Sequence, residues 1–479
     1  MTRNRIAHRA DFSVRCACGK VYNTDDTHIG KQIKCRCGRV VTIVRPREEY
    51  AESYEAKAKD EQRRREQDAA VQARRTASAR RRARLTQWPK RIGPAMAAWL
   101  MDAVSVMGSR RPLRRWTARA SWAWSALMLV TWVLLITTSE SFLPATLLAY
   151  GPRFVLLIPF VMLVPLAVVV VRSALVPLTL ALAVVVGPIM GGRVSWRTVG
   201  RSLPANPPAG AMRVLSFNTQ GGGIVAVQLR DVIDRLHPDL IALQECGDAL
   251  WDSLQALPRW HRARYANLCT ASRWPITAED LMPRGDFQRI AQYGFGGTAM
   301  VARYTIASPH GPLVFVNLHL ETARKGLEAL SGDDGFIPDQ LTASRAEDIA
   351  RRGTAGNRID LNARIRDRES ERAAVWSSRG DPRVPVIFAG DFNLPVESAI
   401  FRRHWGGFTD AFESSGSGFG WSKREGRLLR IRIDHILGND AAPRALGAWL
   451  GPELGSDHLP LVADLNSSSS VAAARMPSR

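Results

Sequence analysis

Short apolar segments in the C-terminal half of the chain each carry an Asn, Asp, Glu or His at an end or, once, in the middle. These residues are Asn218, Glu245, Asn317 and His319, Asp391 and Asn393, Asp434, and Asp457 and His458. Two of the sets contain residues two apart, which strand alternation places on one face. We expect the segments to be strands that converge on one site.

The residue types in this set favour a particular chemistry. Carboxylate and amide oxygens suit a hard cation, Mg²⁺ or Mn²⁺, and the single histidines do not resemble a zinc cage. A divalent ion with His and Asn donors is what hydrolysis of a phosphate ester needs, because the developing charge must be stabilised and a water oriented.

The elements that must position these residues form a mixed α/β pattern. Residues 211–465 alternate short Val, Ile, Leu and Phe runs with helical patterns and Gly/Pro turns, which is typical of an α/β globular domain. We expect the serine- and alanine-rich tail 466–479 to be disordered.

The motifs in this domain resemble those of the endonuclease/exonuclease/phosphatase superfamily, the DNase I-like fold. In chain order they are SFN ending at Asn218, LQE ending at Glu245, NLHL around His319, GDFN at 390–393, RIDHI at 432–436 and SDHLP at 456–460. The resemblance implies a four-layer α/β sandwich with a metal-dependent phosphoesterase site at the top of two central sheets.

The resemblance also implies a role for each matched residue. Glu245 matches the main metal-binding carboxylate, supported by Asn218 and Asp457. Asp391 and Asn393 match the pair that orients the water and contacts the phosphate. His458 matches the histidine beside the scissile phosphate, Asp434 the carboxylate that orients it, and His319 a second phosphate-facing histidine or general acid. Either the His–Asp pair or the Asp of GDFN can be the base.

Other polar residues near these motifs are given structural interpretations or left open. We interpret His435 as structural, and Asn317 as a residue that caps its strand or bonds a neighbour. Cys246 and Cys269 either pair, if the domain lies outside the cytoplasm, or remain buried thiols.

Four of the six cysteines lie in residues 11–44, as two CxCG pairs at Cys16, Cys18, Cys35 and Cys37. Four thiolates can supply a tetrahedral zinc site, and the glycines permit tight turns. The segment resembles a zinc ribbon, although that family usually has CxxC pairs. His28 is an alternative ligand, and a disulfide or redox pair is an alternative use of the thiols.

Residues 121–190 are almost wholly apolar and contain three candidate membrane spans. Ser121–Ser139, Phe154–Val171 and Ala174–Met190 are each uncharged and close to the length of about 20 residues that crosses a bilayer. Several arginines precede the first span, which favours a cytoplasmic N-terminus. Three spans would then place the α/β domain outside the cytoplasm, although three further arginines between residues 193 and 201 weaken this orientation.

The net charge of +22 is concentrated at the N-terminus: residues 1–120 carry +17, residues 121–210 carry +4 and residues 211–479 carry +1. A nearly neutral α/β domain weakens any claim that it binds DNA by net charge. We expect 45–120 to be a basic linker, whose Arg-rich part, 47–91, is a solvated helix or a contact for anionic lipid headgroups.

We therefore predict a membrane-anchored, Mg²⁺-dependent phosphoesterase of the bacterial inner membrane. Its phosphodiester substrate is a nucleic acid or a phospholipid. A basic cluster before Asp434, which comprises Lys423, Arg424, Arg427, Arg430 and Arg432, can hold a polyanion. The alternative from another class is a catalytically inactive zinc-ribbon membrane adaptor.

Overall fold

The computed structural model describes residues 12–44, 111–221, 223–291, 296–327, 355–426 and 428–466. The basic segment 47–91 and the tail from residue 467 onward lie outside these ranges. The chain divides into two compact units, residues 1–105 and residues 106–479. Each unit is described by itself.

The N-terminal unit contains two short antiparallel hairpins. Strands β1 (Phe12–Arg15) and β2 (Val21–Thr24) form one, and β3 (Gln32–Lys34) and β4 (Val40–Thr42) form the other. Each CxCG pair makes the turn of one hairpin, where the glycine adopts a φ near +90° that other residues rarely tolerate.

The second unit begins with helices that are long and apolar enough to cross a membrane, over Arg111–Thr138, Arg153–Val170 and Arg172–Ile189. Helix α1 (Arg111–Thr138) begins ten residues before the expected span, because the arginine-rich segment continues the same helix. A short helix, α2 (Leu143–Tyr150), follows it. Helices α3 (Ile158–Val170) and α4 (Leu175–Val184) form most of the other two spans.

Large apolar side chains cover the outside of these helices. Val161 is 74% exposed and Met162 is 78% exposed, whereas Leu135, Ala167 and Leu178 pack inside the bundle. A surface of this composition suits contact with lipid chains.

The C-terminal α/β domain contains fourteen strands within the described residues. They are β5 (Ala211–Asn218), β6 (Leu240–Gln244), β7 (His261–Tyr265), β8 (Leu268–Ser272), β9 (Ile276–Leu281), β10 (Met300–Ser308), β11 (Gly311–His319), β12 (Val386–Asp391), β13 (Thr409–Asp410), β14 (Lys423–Glu425), β15 (Leu429–Ile431), β16 (Asp434–Gly438), β17 (Ala445–Leu450) and β18 (Leu461–Asn466).

Helices alternate with the strands, as the sequence pattern predicts. They are α5 (Gly223–Leu236), α6 (Asp248–Gln255), α7 (Gly285–Ala291), α8 (Arg324–Leu327), α9 (Ala355–Ser377), α10 (Ala399–His404) and α11 (Ala411–Ser415).

Two six-stranded sheets form the centre of this domain, with strand orders β13-β16-β12-β11-β10-β9 and β17-β18-β5-β6-β8-β7. Val214, Leu240, Phe315 and Ile387 pack in the core between the sheets. Helices α5 and α6 cover the second sheet, and α9 and α10 cover the first. The expected four-layer α/β sandwich is therefore confirmed.

Candidate active site

Strand pairing brings three of the predicted residues side by side at one edge of the first sheet. Strands β11 and β12 run parallel and pair His319 with Asp391, and the antiparallel pair β12–β16 places Asp391 beside Asp434. Asn218 ends β5 in the other sheet, and its Nδ2 donates to Asp391 Oδ2 at 3.0 Å. The edges of the two sheets therefore meet at Asp391.

His458 forms a buried pair with Asp434. Its Nδ1 lies 2.8 Å from Asp434 Oδ2, and its Nε2 lies 3.7 Å from Asp391 Oδ2. Burial alone would lower the pKa of His458, but the charges of Asp434 and Asp391 outweigh it and raise that pKa to about 9. This pairing fixes which ring nitrogen faces Asp391.

Asp391 and Asn393 form a tight local turn after β12. The backbone N–H of Asn393 donates to Asp391 Oδ1 at 2.8 Å, and Asn393 Nδ2 donates to the carbonyl of Leu320, also at 2.8 Å. Burial, followed by the charge of Asp434, raises the pKa of Asp391. The predicted contact of Asn393 with a phosphate stays a prediction.

Glu245 faces Asp391 across the Asn218 amide. Asn218 Nδ2 donates to Glu245 Oε1 at 3.0 Å, and Asn218 Oδ1 accepts from the Gln220 backbone N–H. His319 Nε2 lies 3.9 Å from Glu245 Oε1 and 3.7 Å from Asp391 Oδ2. The two carboxylates offer oxygen ligands of the kind that hard divalent cations prefer, and Mg²⁺ or Mn²⁺ stays the prediction.

Asp391 also belongs to a second possible set of metal donors. Ligand atoms of Asp391, Asp434 and His458 lie within 4.8 Å of one another. Asp391 therefore stands between the Glu245 side of the site and the His458 side.

Asp457 makes its side-chain contacts on the His458 side. Its Oδ2 accepts from Lys423 Nζ at 2.6 Å, and its Oδ1 lies 3.8 Å from His458 Nε2. Lys423 Nζ is also 3.3 Å from His458 Nε2. From the sequence, Lys423 was predicted only as a member of the basic cluster before Asp434. The residues around it in strand β14 do not indicate that its side chain enters the site.

We expect Lys423→Met to lower kcat/KM for phosphodiester hydrolysis about tenfold, since it removes a cation that is bonded to Asp457 and adjacent to His458. Steady-state kinetics of the full chain would measure this loss. Arg424→Gln is the matched control, because Arg424 pairs with Glu453, whose side chain is 74% exposed. Equal rates in the two variants would contradict a role for Lys423.

The remaining basic residues of the predicted cluster differ in their surroundings. Arg424 and Arg430 lie opposite each other in the β14–β15 hairpin, where Arg424 pairs with the exposed Glu453, whereas Arg432 is buried and pairs with Glu413. Arg427 lies outside the described residues. Arg424 and Arg432 each have a carboxylate partner that offsets their charge, while Arg430 stands beside Arg424. This pairing reduces the free positive charge that a polyanion could contact there.

The two residues interpreted as structural lie in the interior. His435 Nδ1 lies 2.7 Å from Asp410 Oδ2, and its Nε2 lies 2.8 Å from the Leu394 carbonyl. Asn317 accepts from Gln244 and donates to Thr270 Oγ1 between the two sheets. Neither side chain points to Asp391.

Cys246 and Cys269 form a disulfide directly after Glu245. Glu245 itself has a φ of +50°, a left-handed conformation that costs energy for a residue with a Cβ. The disulfide and the bond from the Cys246 N–H to the Asn267 carbonyl hold the chain where this conformation occurs.

Glu369, on helix α9, is a buried carboxyl that sequence patterns did not identify. Its Oε1 accepts from the Ala299 N–H, and no described residue bonds its Oε2. Burial, followed by the charge of Glu321, raises the pKa of Glu369 to about 8, against the attraction of Lys325 and Arg284.

Glu369 should make stability depend on pH. The unfolded chain releases this proton near pH 4.5 and the folded chain near pH 8, so the free energy of unfolding falls as the pH rises between these values. We expect Glu369→Gln to remove this fall and to gain about 4 kcal/mol at pH 8. Thermal unfolding between pH 5 and 9 measures it, and parallel wild-type and variant curves would contradict it.

The four N-terminal cysteines lie together. Their Sγ atoms are within 4.8 Å of one another, with Cys16 to Cys37 at 3.7 Å and Cys18 to Cys35 at 3.6 Å. The thiols of all four are free. His28 instead contacts Asp25 at 2.8 Å, so the cysteines are the better fit to a tetrahedral zinc site.

Comparison with known proteins gives one family match. The sequence matches the Endonuclease/Exonuclease/phosphatase family over residues 215–458. No curated protein matches the chain significantly.

Several solved structures are similar to the chain at low identity. TDP2 of D. rerio, complexed with a single-strand DNA product, is 16% identical and aligns over 53% of this chain and 99% of its own, with a TM-score of 0.38. Sphingomyelinase C from Streptomyces griseocarneus is also 16% identical, over 53% and 99%, with a TM-score of 0.34. An endonuclease/exonuclease/phosphatase family protein from Leptotrichia buccalis is 15% identical, over 53% and 99%, with a TM-score of 0.33.

Proposed function

We propose, from the premise that this chain belongs to the endonuclease/exonuclease/phosphatase family and is therefore a hydrolase of phosphate ester bonds, that it cleaves a phosphodiester with a divalent metal ion at the outer surface of a membrane. The observation that carries the proposal is the position of Asp391. This carboxylate is bonded to Asn218, which also bonds Glu245, and it faces the buried His458–Asp434 pair.

Glu245 is the residue that would hold Mg²⁺ or Mn²⁺, with Asn218 and Asp457 in support, which leaves Asp391 available for proton transfer. A bound ion would polarise a phosphoryl oxygen. The protein's own groups supply the rest: His458, held by Asp434, and His319 donate to the charge that develops on the phosphate. Asp391 accepts the proton of the attacking water; the His458–Asp434 pair is the alternative base, and in that case His319 alone donates to the developing charge.

The position of the domain relative to the membrane follows from the number of spans. Arg153 begins the second candidate span, and its Nη1 donates to the carbonyl of Ile189, which ends the third. These two ends therefore lie on the side of the α/β domain, opposite to the basic start of α1. The positively charged start of α1 favours the cytoplasmic side, so the α/β domain lies outside the cytoplasm. The Cys246–Cys269 disulfide of this domain is stable in an oxidising compartment. The four free thiols of the N-terminal cysteines instead suit the reducing cytoplasm.

A reporter that is active only outside the cytoplasm tests this orientation. Fused after Asn466, it should be active, and fused after residue 44 it should be silent. The opposite pattern would place the catalytic site in the cytoplasm.

Two phosphodiester substrates are compatible with the site. A phospholipid is favoured by the direct attachment of the domain to the ends of the apolar helices, which keeps the site beside a bilayer surface. A nucleic acid is the second candidate, and it has less support because Arg424 and Arg432 of the basic cluster are already paired with carboxylates.

The purified full chain, assayed with Mg²⁺, tests the reaction and the substrate class. Phospholipid vesicles, single- and double-stranded DNA, RNA and a small generic phosphodiester are offered in parallel. Cleavage that EDTA abolishes supports the proposed reaction, and the cleaved class identifies the substrate. Failure on all of them would contradict the proposal.

The zinc site and the adaptor alternative share one test. We propose that Cys16, Cys18, Cys35 and Cys37 bind one Zn²⁺, so metal analysis should find one zinc per chain and none after Cys16→Ser and Cys35→Ser are combined. If zinc removal abolishes binding of a cytoplasmic partner while Asp391→Ala changes no activity, the adaptor alternative is favoured. The intact set of Asn218, Glu245, Asp391 and His458 argues against it.

A further inference from the structure

Buried polar contacts join residues 139–153, which run from the end of the first span to the start of the second, to the α/β domain. Arg153 Nη1 donates to Glu397 Oε2 at 2.9 Å, and the two side chains are 9% and 7% exposed. Glu140 Oε1 accepts from Ser398 Oγ at 2.5 Å. Buried charges are stable only when they are paired in good geometry, so this is a built junction. Both partners in the α/β domain lie a few residues after the GDFN motif.

A second contact reaches the GDFN motif itself. Arg366, on α9, is 3% exposed, and its guanidinium lies 4.9 Å from the centre of the Tyr150 ring. Its Nη2 donates to the Tyr150 hydroxyl and lies 3.4 Å from the carbonyl oxygen of Asn393. The Arg366 side chain therefore connects the end of helix α2 to the backbone of Asn393.

Asn393 adopts a left-handed backbone conformation, with a φ of +52°. Asparagine enters this region more readily than most residues with a Cβ, but the region is still less favoured than the right-handed one, so the contacts of Asn393 decide how firmly the turn is held. Asp391 Oδ1 holds its N–H, and the Leu320 carbonyl holds its side chain. The guanidinium of Arg366 contacts the carbonyl oxygen of Asn393, and the Tyr150 hydroxyl accepts a hydrogen bond from the same guanidinium.

We propose that Tyr150 and Arg366 are positioning residues, which keep the catalytic loop 391–398 in the conformation that aligns Asp391. The segment between the first two spans would then be part of the catalytic unit, in addition to its place in the membrane anchor. The inference rests on the proposed function for its kinetic readout alone.

The test compares full-chain variants in detergent. Tyr150→Leu removes the ring and the hydroxyl, and Arg366→Lys removes the planar fork. Asp367→Asn is the matched control, since Asp367 is the next residue on α9 and pairs with Arg403 and His404 on the surface. Hydrogen–deuterium exchange of 392–398 reports the loop, and exchange of 386–390 reports strand β12.

We expect exchange of the loop amides to rise about tenfold in both test variants, with β12 and the control unchanged. We also expect kcat to fall about tenfold with KM unchanged, because the catalytic groups are misaligned while substrate contacts remain. If Tyr150→Leu fails to fold, Tyr150→Phe removes only the hydroxyl that accepts from Arg366, and about threefold faster loop exchange is expected.

Loop exchange equal to the control overturns the proposal, and so does an equal rise in the loop and in β12, which indicates general loosening. A wild-type chain that hydrolyses nothing contradicts the proposed function, while the exchange result still decides the positioning role.

Discussion

Asp391→Asn should lower the turnover of phosphodiester hydrolysis at least about 100-fold, the scale of losing a group that acts in proton transfer. Asp391 contacts Asn218 and lies 3.7 Å from both His319 and His458, so its charge influences every part of the site. The measurement is initial rate against Mg²⁺ concentration with the full chain. His458→Ala should cause a loss of the same order.

The stability of Asp391→Asn should separate a catalytic defect from a folding defect. Burial and the charge of Asp434 raise the pKa of Asp391, and a neutral amide relieves that cost, but both Asp391 oxygens accept from N–H groups, so the amide loses one of these bonds. We expect the two effects to offset, with a thermal unfolding midpoint close to that of the wild type. Asp280→Asn is the surface control, with a side chain 51% exposed. Near wild-type turnover in both Asp391→Asn and His458→Ala would contradict the site.

Asp464→Ala should destabilise the α/β domain by about 3–5 kcal/mol, the cost of leaving a buried charge without its partner. Arg213 Nε donates to Asp464 Oδ1 at 2.6 Å and its Nη2 to Oδ2 at 2.9 Å, with both side chains fully buried. The thermal midpoint, followed by tryptophan fluorescence, should fall by roughly 10 °C.

The double variant Arg213→Met with Asp464→Leu tests the cause of that loss. Replacing both charges with apolar side chains removes the uncompensated charge, so we expect a smaller loss than for Asp464→Ala alone. Some loss should remain, because Arg213 also donates to the carbonyls of Pro204, Ala205 and Leu236. A double variant as unstable as Asp464→Ala would show that packing, and not charge, dominates.

The junction between the apolar helices and the α/β domain affects how this protein should be assayed. Residues 139–153 contact Glu397, Ser398, Ala399 and Arg366, all close to the GDFN motif in space. A fragment that begins after the spans would lose these contacts. We therefore base the experiments on the full chain.

Sequence patterns predicted a mixed α/β domain with polar strand ends that converge on one site, and the resemblance of the motifs to a known family supplied the four-layer fold. Short motifs such as GDFN and SDHLP place polar groups at strand ends, and strand alternation is a local property that each segment carries by itself. The apolar spans were predictable for the same reason, since length and hydropathy are also local. His435 and Asn317, which were interpreted as structural, contact Asp410 and Gln244 in the interior.

Contacts between distant segments were decided only by the tertiary structure. The pairing of β12 with β16 places Asp391 beside Asp434, and the hairpin β14–β15 brings Lys423 to His458 while Arg424 and Arg432 turn to other partners. Cys246 pairs with Cys269, which the sequence left open. Tyr150 reaches Arg366 across 216 positions of the chain. Such contacts depend on strand register and on the packing of whole elements, and neither is encoded in the few residues on each side of the contact.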